Sequence, residues 1–311
     1  MTGISIIVPH TGQIERFEDT LASVLRHRPP NSQLIVVHDG GYDDPYDLAD
    51  EVRFVNADQN YSLIPFLNVG MCYVGGNTTV VLRPGIEVDE NWNDSISEAF
   101  EDDRVGAGSP VIVGAERQSK VVTAGVDVSR SGSRKLVGSG KRVSGKRLHS
   151  IKSVGPSSWF AAYRTKLLKQ LLPFDEQLDS VCWDADVATA IQAMGFQNRL
   201  LTDCVAVAES EDLVLEETEV AHGLSAQRAM TRSGKASLPA TVGGLLGDLI
   251  GSTIQPWKLR HLVQRLGAGK YRSVDASHFE QLQQLRRRQL WLEQKEPAVE
   301  QSVEFNYRRA A

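Results

Sequence analysis

Short runs of β-branched apolar residues, each closed by a chain breaker and followed by residues at helical spacing, recur through the opening part of this chain and leave few folds open. Ile4-Ser5-Ile6-Ile7-Val8 is closed by Pro9, and Ile14, Phe17, Leu21, Val24 and Leu25 then follow at the period of a helix that Pro29-Pro30 stops. Leu34-Ile35-Val36-Val37 runs into His38-Asp39-Gly40-Gly41, and Val52 to Val55 makes a third short strand. A helix over Leu63 to Val74, with Pro65 in its first turn, ends at Gly75-Gly76, and Thr79-Val80-Val81-Leu82 supplies another strand. Strands that are apolar on both faces belong inside a sheet covered by helices, so the pattern predicts an α/β fold with a Rossmann-like, mostly parallel sheet flanked by helices.

The 311 residues, 41% hydrophobic and 23% charged, supply such a domain over residues 1–210 and an extension over 211–311. The boundary is marked by the acidic run from Glu209 to Glu219, beyond which a helical tail is expected. In that tail Trp257, Leu259, Leu262, Val263 and Leu266 alternate with Lys258, Arg260, His261 and Arg265, and Gln281 to Trp291 makes a second helix. Such helices either pack on the preceding α/β domain or touch an anionic membrane surface from the cytoplasmic side. No run of about 18 apolar residues and no leader-like start occurs, so a cytoplasmic location is expected. A net charge of -5 argues against a surface built for nucleic acid. Cys72, Cys182 and Cys204 lie far apart beside apolar residues and read as buried, reduced thiols.

In open α/β sheets ligands collect beyond the carboxyl ends of the strands. That rule selects Asp39, whose carboxylate is held at a turn and can accept hydrogen bonds from a base or ribose, and the loop Arg83-Pro84-Gly85-Ile86-Glu87. Trp183-Asp184-Ala185-Asp186 sets two carboxylates at a helix start expected near Asp186, one able to cap the helix and the other to enter a cleft as a general base. Ser129 to Lys152 is rich in Gly, Ser, Lys and Arg without an acid, and reads as a long mobile loop or hairpin with a basic face, or else as a merely solvated loop.

Taken in order, these pieces resemble the family 2 glycosyltransferases of GT-A fold, over roughly residues 3–208, with a pattern similar to rhamnosyltransferase-like members. The resemblance is carried by Ser5-Ile6-Ile7-Val8-Pro9, Leu34-Ile35-Val36-Val37-His38-Asp39-Gly40, Asn60, Asn68-Val69-Gly70, Val80-Val81-Leu82, Phe174-Asp175-Glu176 and Asp184-Ala185-Asp186-Val187 with Gly195. It implies an inverting transfer of a sugar from a nucleoside-diphosphate sugar to the hydroxyl of a saccharide or lipid-linked saccharide. It implies too that Asp184 is the base, with Asp186 beside it, and that Pro9, Asp39 and Asn68 lie on the nucleotide site. Trp183, where the family has an acid, would stack on an acceptor or pack.

Two departures stand out. The acidic metal loop of the family reads Arg83-Pro84-Gly85 here, and its later His is replaced by Glu209, with His222 the nearest downstream substitute. No cofactor is therefore expected, with a divalent metal left as the alternative: its usual ligands are absent, and Arg83 can take over part of its charge at the diphosphate. The rival reading is a catalytically silent GT-A module that binds nucleotide or saccharide or serves as a scaffold. A nucleotidyltransferase would need a Gly-rich phosphate loop after the first strand, which Pro9-His10-Thr11-Gly12 does not supply.

Overall fold

The apolar runs of the sequence form the centre of one nine-stranded sheet. The computed structural model describes residues 3–210 apart from 12, 58–61, 129–133, 144–147, 177 and 179, together with 214 and 284. Asn60, His222 and the helical extension expected over 211–311, apart from positions 214 and 284, lie outside the described residues.

Along the chain the elements are β1 (Ile4–Pro9), α1 (Ile14–His27), β2 (Gln33–His38), β3 (Arg53–Asn56), α2 (Leu63–Met71), β4 (Thr78–Leu82), β5 (Ile86–Val88), α3 (Asp94–Ala99), β6 (Val105–Gly114) and β7 (Arg117–Thr123). They continue with β8 (Val126–Val128), β9 (Arg134–Leu136), β10 (Phe160–Arg164), α4 (Thr165–Gln170), α5 (Trp183–Ala193) and β11 (Gln197–Ala208). The sheet order is β3-β2-β1-β4-β10-β6-β11-β5, with β7 also paired to β6, and β8-β9 form a separate hairpin. Strands β1, β2, β3, β4, β6 and β11 point one way, while β5, β7 and β10 run against them. The sheet is therefore mostly parallel, as the apolar runs predict.

Both faces are covered. Phe17, Leu21 and Val24 of α1 pack with Ile6, Val8, Val36 and Val80 on one face, while Leu63, Phe66 and Leu67 of α2 and Val187 and Ile191 of α5 pack with Ile7, Ile35, Val37 and Val81 on the other. Consecutive residues of a strand point to opposite faces, so Ile6 and Ile7 serve different layers and the strands must be apolar throughout.

Two local expectations change. Helix α5 starts at Trp183 rather than near Asp186, with Cys182 at the N-cap and no side-chain cap, so neither acid caps it. Of the three thiols, Cys182 and Cys204 are buried, but Cys72 is exposed after the end of α2. Among the described residues no helix is long and apolar enough to cross a membrane.

Candidate functional site

The carboxyl ends of β1, β2 and β4 carry Pro9-His10, His38-Asp39-Gly40 and Arg83. Pro9 is buried and paired in register with Val37, which brings the first two loops side by side, and His10 N donates to Val37 O at 2.8 Å. Asp39 Oδ1 accepts from Gly41 N at 2.9 Å, an Asx turn that fixes the carboxylate at the edge. His38 Nδ1 accepts from Gly40 N at 3.2 Å, so the proton of the neutral ring sits on Nε2. Both His10 and His38 are held below the ordinary imidazole range, chiefly by burial, against the pull of Asp39 in the other direction. The His10 ring packs on Phe17 and Tyr42 at 4.7 and 5.8 Å between centroids.

Strand β4 ends in a turn whose sequence dictates its shape. Ile86 N donates back to Arg83 O at 3.3 Å, with Pro84 and a left-handed Gly85 (φ 89°) at the central positions, the signature of a type II turn. The guanidinium carbon of Arg83 lies 3.8 Å from the centre of the Trp159 ring, and Arg83 N donates to Trp159 O at 3.0 Å. Trp159 leads into β10, whose antiparallel course returns its first residues to the ligand edge. Arg83 is thus a cation braced on an aromatic face at the end of the central strand.

The same lead-in reaches α5. Ser158 N donates to Asp184 Oδ2 at 2.8 Å, and Arg134 Nε and Nη2 donate to Oδ1 and Oδ2 at 2.8 and 2.7 Å. Ala185 N adds a further bond to Oδ1. The Arg134 and Asp184 side chains are 2% and 0% exposed. Close approach of α5 depends on Gly155, where a Cβ would run into Ala188. Arg134 belongs to the stretch expected to present a solvated basic face. That expectation fails here because β8 and β9 form a hairpin that turns Arg134 inward. From Trp183 to Ile191, Asp186 is the one residue that is not buried. Trp183 itself is buried edge-on to Tyr163 and Phe174, at 5.8 and 5.4 Å, so it packs the core and has no surface left for an acceptor.

Asn68 sits on α2 and clamps a loop. Its Nδ2 donates to Phe174 O at 2.9 Å and to Glu176 Oε1 at 3.1 Å, and its Oδ1 accepts from Phe174 N at 2.7 Å. The geometry gives Asn68 the work of tying α2 to the segment before α5. Arg83, Trp159, Ser158, Asp184 and Arg134 form one chain of contacts, with Asp39 on a neighbouring loop of the same edge.

At the end of β4 the described residues do not supply the carboxylate ligands of the family's metal loop. Arg83 puts a positive charge at the end of β4, Gly85 offers no ligand, and Glu87 is exposed between buried Ile86 and Val88 on β5. Among the described residues no three of His, Cys, Asp and Glu cluster to hold a metal. Glu209, just past β11, is engaged by Arg16 at 2.6 Å.

No protein-family model matches the chain, and no curated protein matches it either. Solved structures do. Mannosyltransferase PcManGT from Pyrobaculum calidifontis, in complex with GDP-Man and Mn2+, is similar at 16% identity over 88% of this chain and 87% of that one, with a TM-score of 0.46. GalNAc-T7 with UDP, GalNAc and Mn2+ is similar at 14% identity over 76% of this chain and 52% of that one, with a TM-score of 0.51. S. aureus TarS 1-349 is similar at 13% identity over 91% and 90%, with a TM-score of 0.46. The likeness is one of fold: the chain has the GT-A fold of glycosyltransferases.

Proposed function

We propose that this chain is a glycosyltransferase that takes a sugar from a nucleoside-diphosphate sugar and passes it, with inversion, to a hydroxyl of a saccharide or lipid-linked saccharide, as the family 2 resemblance implies. The observation that carries the reading is the gathering, on one edge of a GT-A sheet, of a fixed carboxylate for the nucleoside (Asp39), a braced guanidinium for the diphosphate (Arg83) and the acidic first turn of α5. The solved structures of the mannosyltransferase and GalNAc-T7 hold GDP-Man and UDP, which is in keeping with a nucleotide at this edge.

Within this reading Asp39 accepts the ring N–H of uracil or thymine, against the wall made by Pro9. Arg83 pairs with the leaving diphosphate, a charge-assisted contact that develops strength as the glycosidic bond breaks. Of the two acids on α5, Asp186, the one that is not buried, takes the acceptor's proton. Asp184, enclosed by Arg134 and Ser158, anchors the turn that positions it. Asn68 acts at one remove, by holding Phe174.

A second reading has a specific observation in its favour. Asp184, the position that matches the family's base, is closed by a bidentate arginine, which is what a GT-A module retained for binding alone would tolerate. Product formation from a panel of UDP-, dTDP- and GDP-sugars, with and without EDTA, separates the two. Turnover that survives EDTA supports the transferase. Nucleotide binding with no product from any donor supports the module.

A further inference from the structure

Arg16 stands in the first turn of α1, and its carbonyl accepts from Gly85 N at 3.2 Å, so its backbone is tied to the turn that carries Arg83. Gly85 O in turn accepts from Glu209 N at 2.9 Å. Helix α1, the β4–β5 turn and the end of β11 therefore meet at one point of the ligand edge. Across that point Arg16 Nε lies 2.6 Å from Glu209 Oε2, with side chains 30% and 48% exposed. The contact is close but not aligned: Arg16 Nε is sealed from solvent and makes no proper hydrogen bond.

This pair differs in kind from Arg134 and Asp184. There the fork is filled by both carboxylate oxygens in a sealed site. Here a half-exposed carboxylate touches one nitrogen off-line, and ion pairs so exposed contribute little and exchange readily. A buried N–H without an aligned acceptor is a costly arrangement, relieved by an oxyanion that can meet the fork squarely.

We propose that Arg16 is a second phosphate-binding residue: with Arg83 it forms a two-guanidinium clamp for the diphosphate, and Glu209 occupies Arg16 until the diphosphate displaces it. The inference rests on the nucleotide-edge reading above and supplies what that reading lacks. Arg83 alone brings one positive charge, whereas two guanidiniums match the formal charge of a divalent cation and present planar forks suited to phosphate oxygens. The Gly85 N–Arg16 O bond ties the Arg16 backbone to the turn that carries Arg83.

The test is calorimetry with UDP, dTDP, GDP, uridine and inorganic pyrophosphate on wild type, Arg16→Met, Arg16→Lys and Glu209→Gln. Arg16→Met should weaken the tightest nucleotide and pyrophosphate by about ten-fold or more and leave uridine unchanged. Arg16→Lys, which keeps charge but loses the fork, should fall between. Glu209→Gln should tighten nucleotide and pyrophosphate, because it removes the competing carboxylate. An Arg16→Met protein that melts like wild type and binds nucleotide equally well overturns the clamp while the nucleotide site stands. Should Arg16→Met fail to fold, the sign of the Glu209→Gln effect decides, and weaker binding overturns the proposal. Wild type that takes up none of these ligands ends the nucleotide reading and the clamp together.

Discussion

Arg134 Nε and Nη2 meet the two carboxylate oxygens of Asp184 at 2.8 and 2.7 Å, and the two side chains are sealed from solvent. The pair fastens the β8–β9 hairpin to the first turn of α5 across 50 residues of sequence. Removing two charges from water is costly, and here the cost is offset by a bidentate fork and by backbone donors from Ser158 and Ala185. Deleting one partner leaves the other charge buried alone. Arg134→Met should therefore destabilise the fold by about 3–5 kcal/mol in urea titration. The double variant Arg134→Met/Asp184→Leu should recover much of that loss. A single variant as stable as wild type would mean that water reaches Asp184.

The first-turn acids of α5 should separate stability from turnover. Asp186→Asn removes the acid with solvent access, and should lower the rate by about 10² to 10⁴ with nucleotide affinity retained. Its effect on stability should be small, about 0.3–1 kcal/mol for one negative charge at a helix N-terminus. Asp184→Asn should act mainly on the melting temperature, by stranding Arg134. Product assays and thermal melts on the two variants check the ranking, and full turnover in Asp186→Asn would return the base to Asp184 with Arg134 displaced.

Asp39→Ala should weaken pyrimidine nucleotide binding by about 1.5–3 kcal/mol, roughly ten-fold or more, through loss of a charge-assisted hydrogen bond. Pyrophosphate should bind the variant as it binds wild type, because Asp39 faces the nucleoside and not the diphosphate in the proposed pose. Equal affinity of wild type and variant for UDP, measured by calorimetry, would take Asp39 out of the site.

The edge should be sensitive to acid. His10 and His38 are held below 6.5, mainly by burial, with Asp39 opposing in both cases, Glu18 opposing at His10 and Asp43 at His38. The fold thus favours the neutral rings. Above 6.5 both folded and unfolded chains are neutral there and the stability is fully present. As pH falls from 6.5 toward the lowered folded values, the unfolded chain takes up protons that the folded chain refuses, so stability is lost over that window. Thermal melts between about pH 7.5 and pH 5 should show the loss, and His10→Phe should flatten it. An unchanged slope in His10→Phe would assign the effect elsewhere.

What the sequence by itself determined was the class of fold and which residues stand at the carboxyl ends of the strands. Ile6 and Ile7, or Val36 and Val37, are apolar on both faces because each strand lies between two helical layers, and that requirement is written locally, residue by residue. The turn at Arg83-Pro84-Gly85 is local too, since Pro presets one φ and Gly permits the left-handed one. The places of Asp39 and Arg83 just past β2 and β4 were legible because the end of a strand can be read from the run before it. The tertiary structure alone decided that Asp184 is enclosed while Asp186 is not buried, that Arg134 faces inward, that Trp159 braces Arg83, that Asn68 holds Phe174 and that Arg16 meets Glu209. In each of these the partners are brought together by packing across tens to hundreds of residues, and a side chain's neighbours at that range leave no periodic trace in the chain. A buried arginine and a solvated one are the same letter, and only the course of the β8–β9 hairpin distinguishes them.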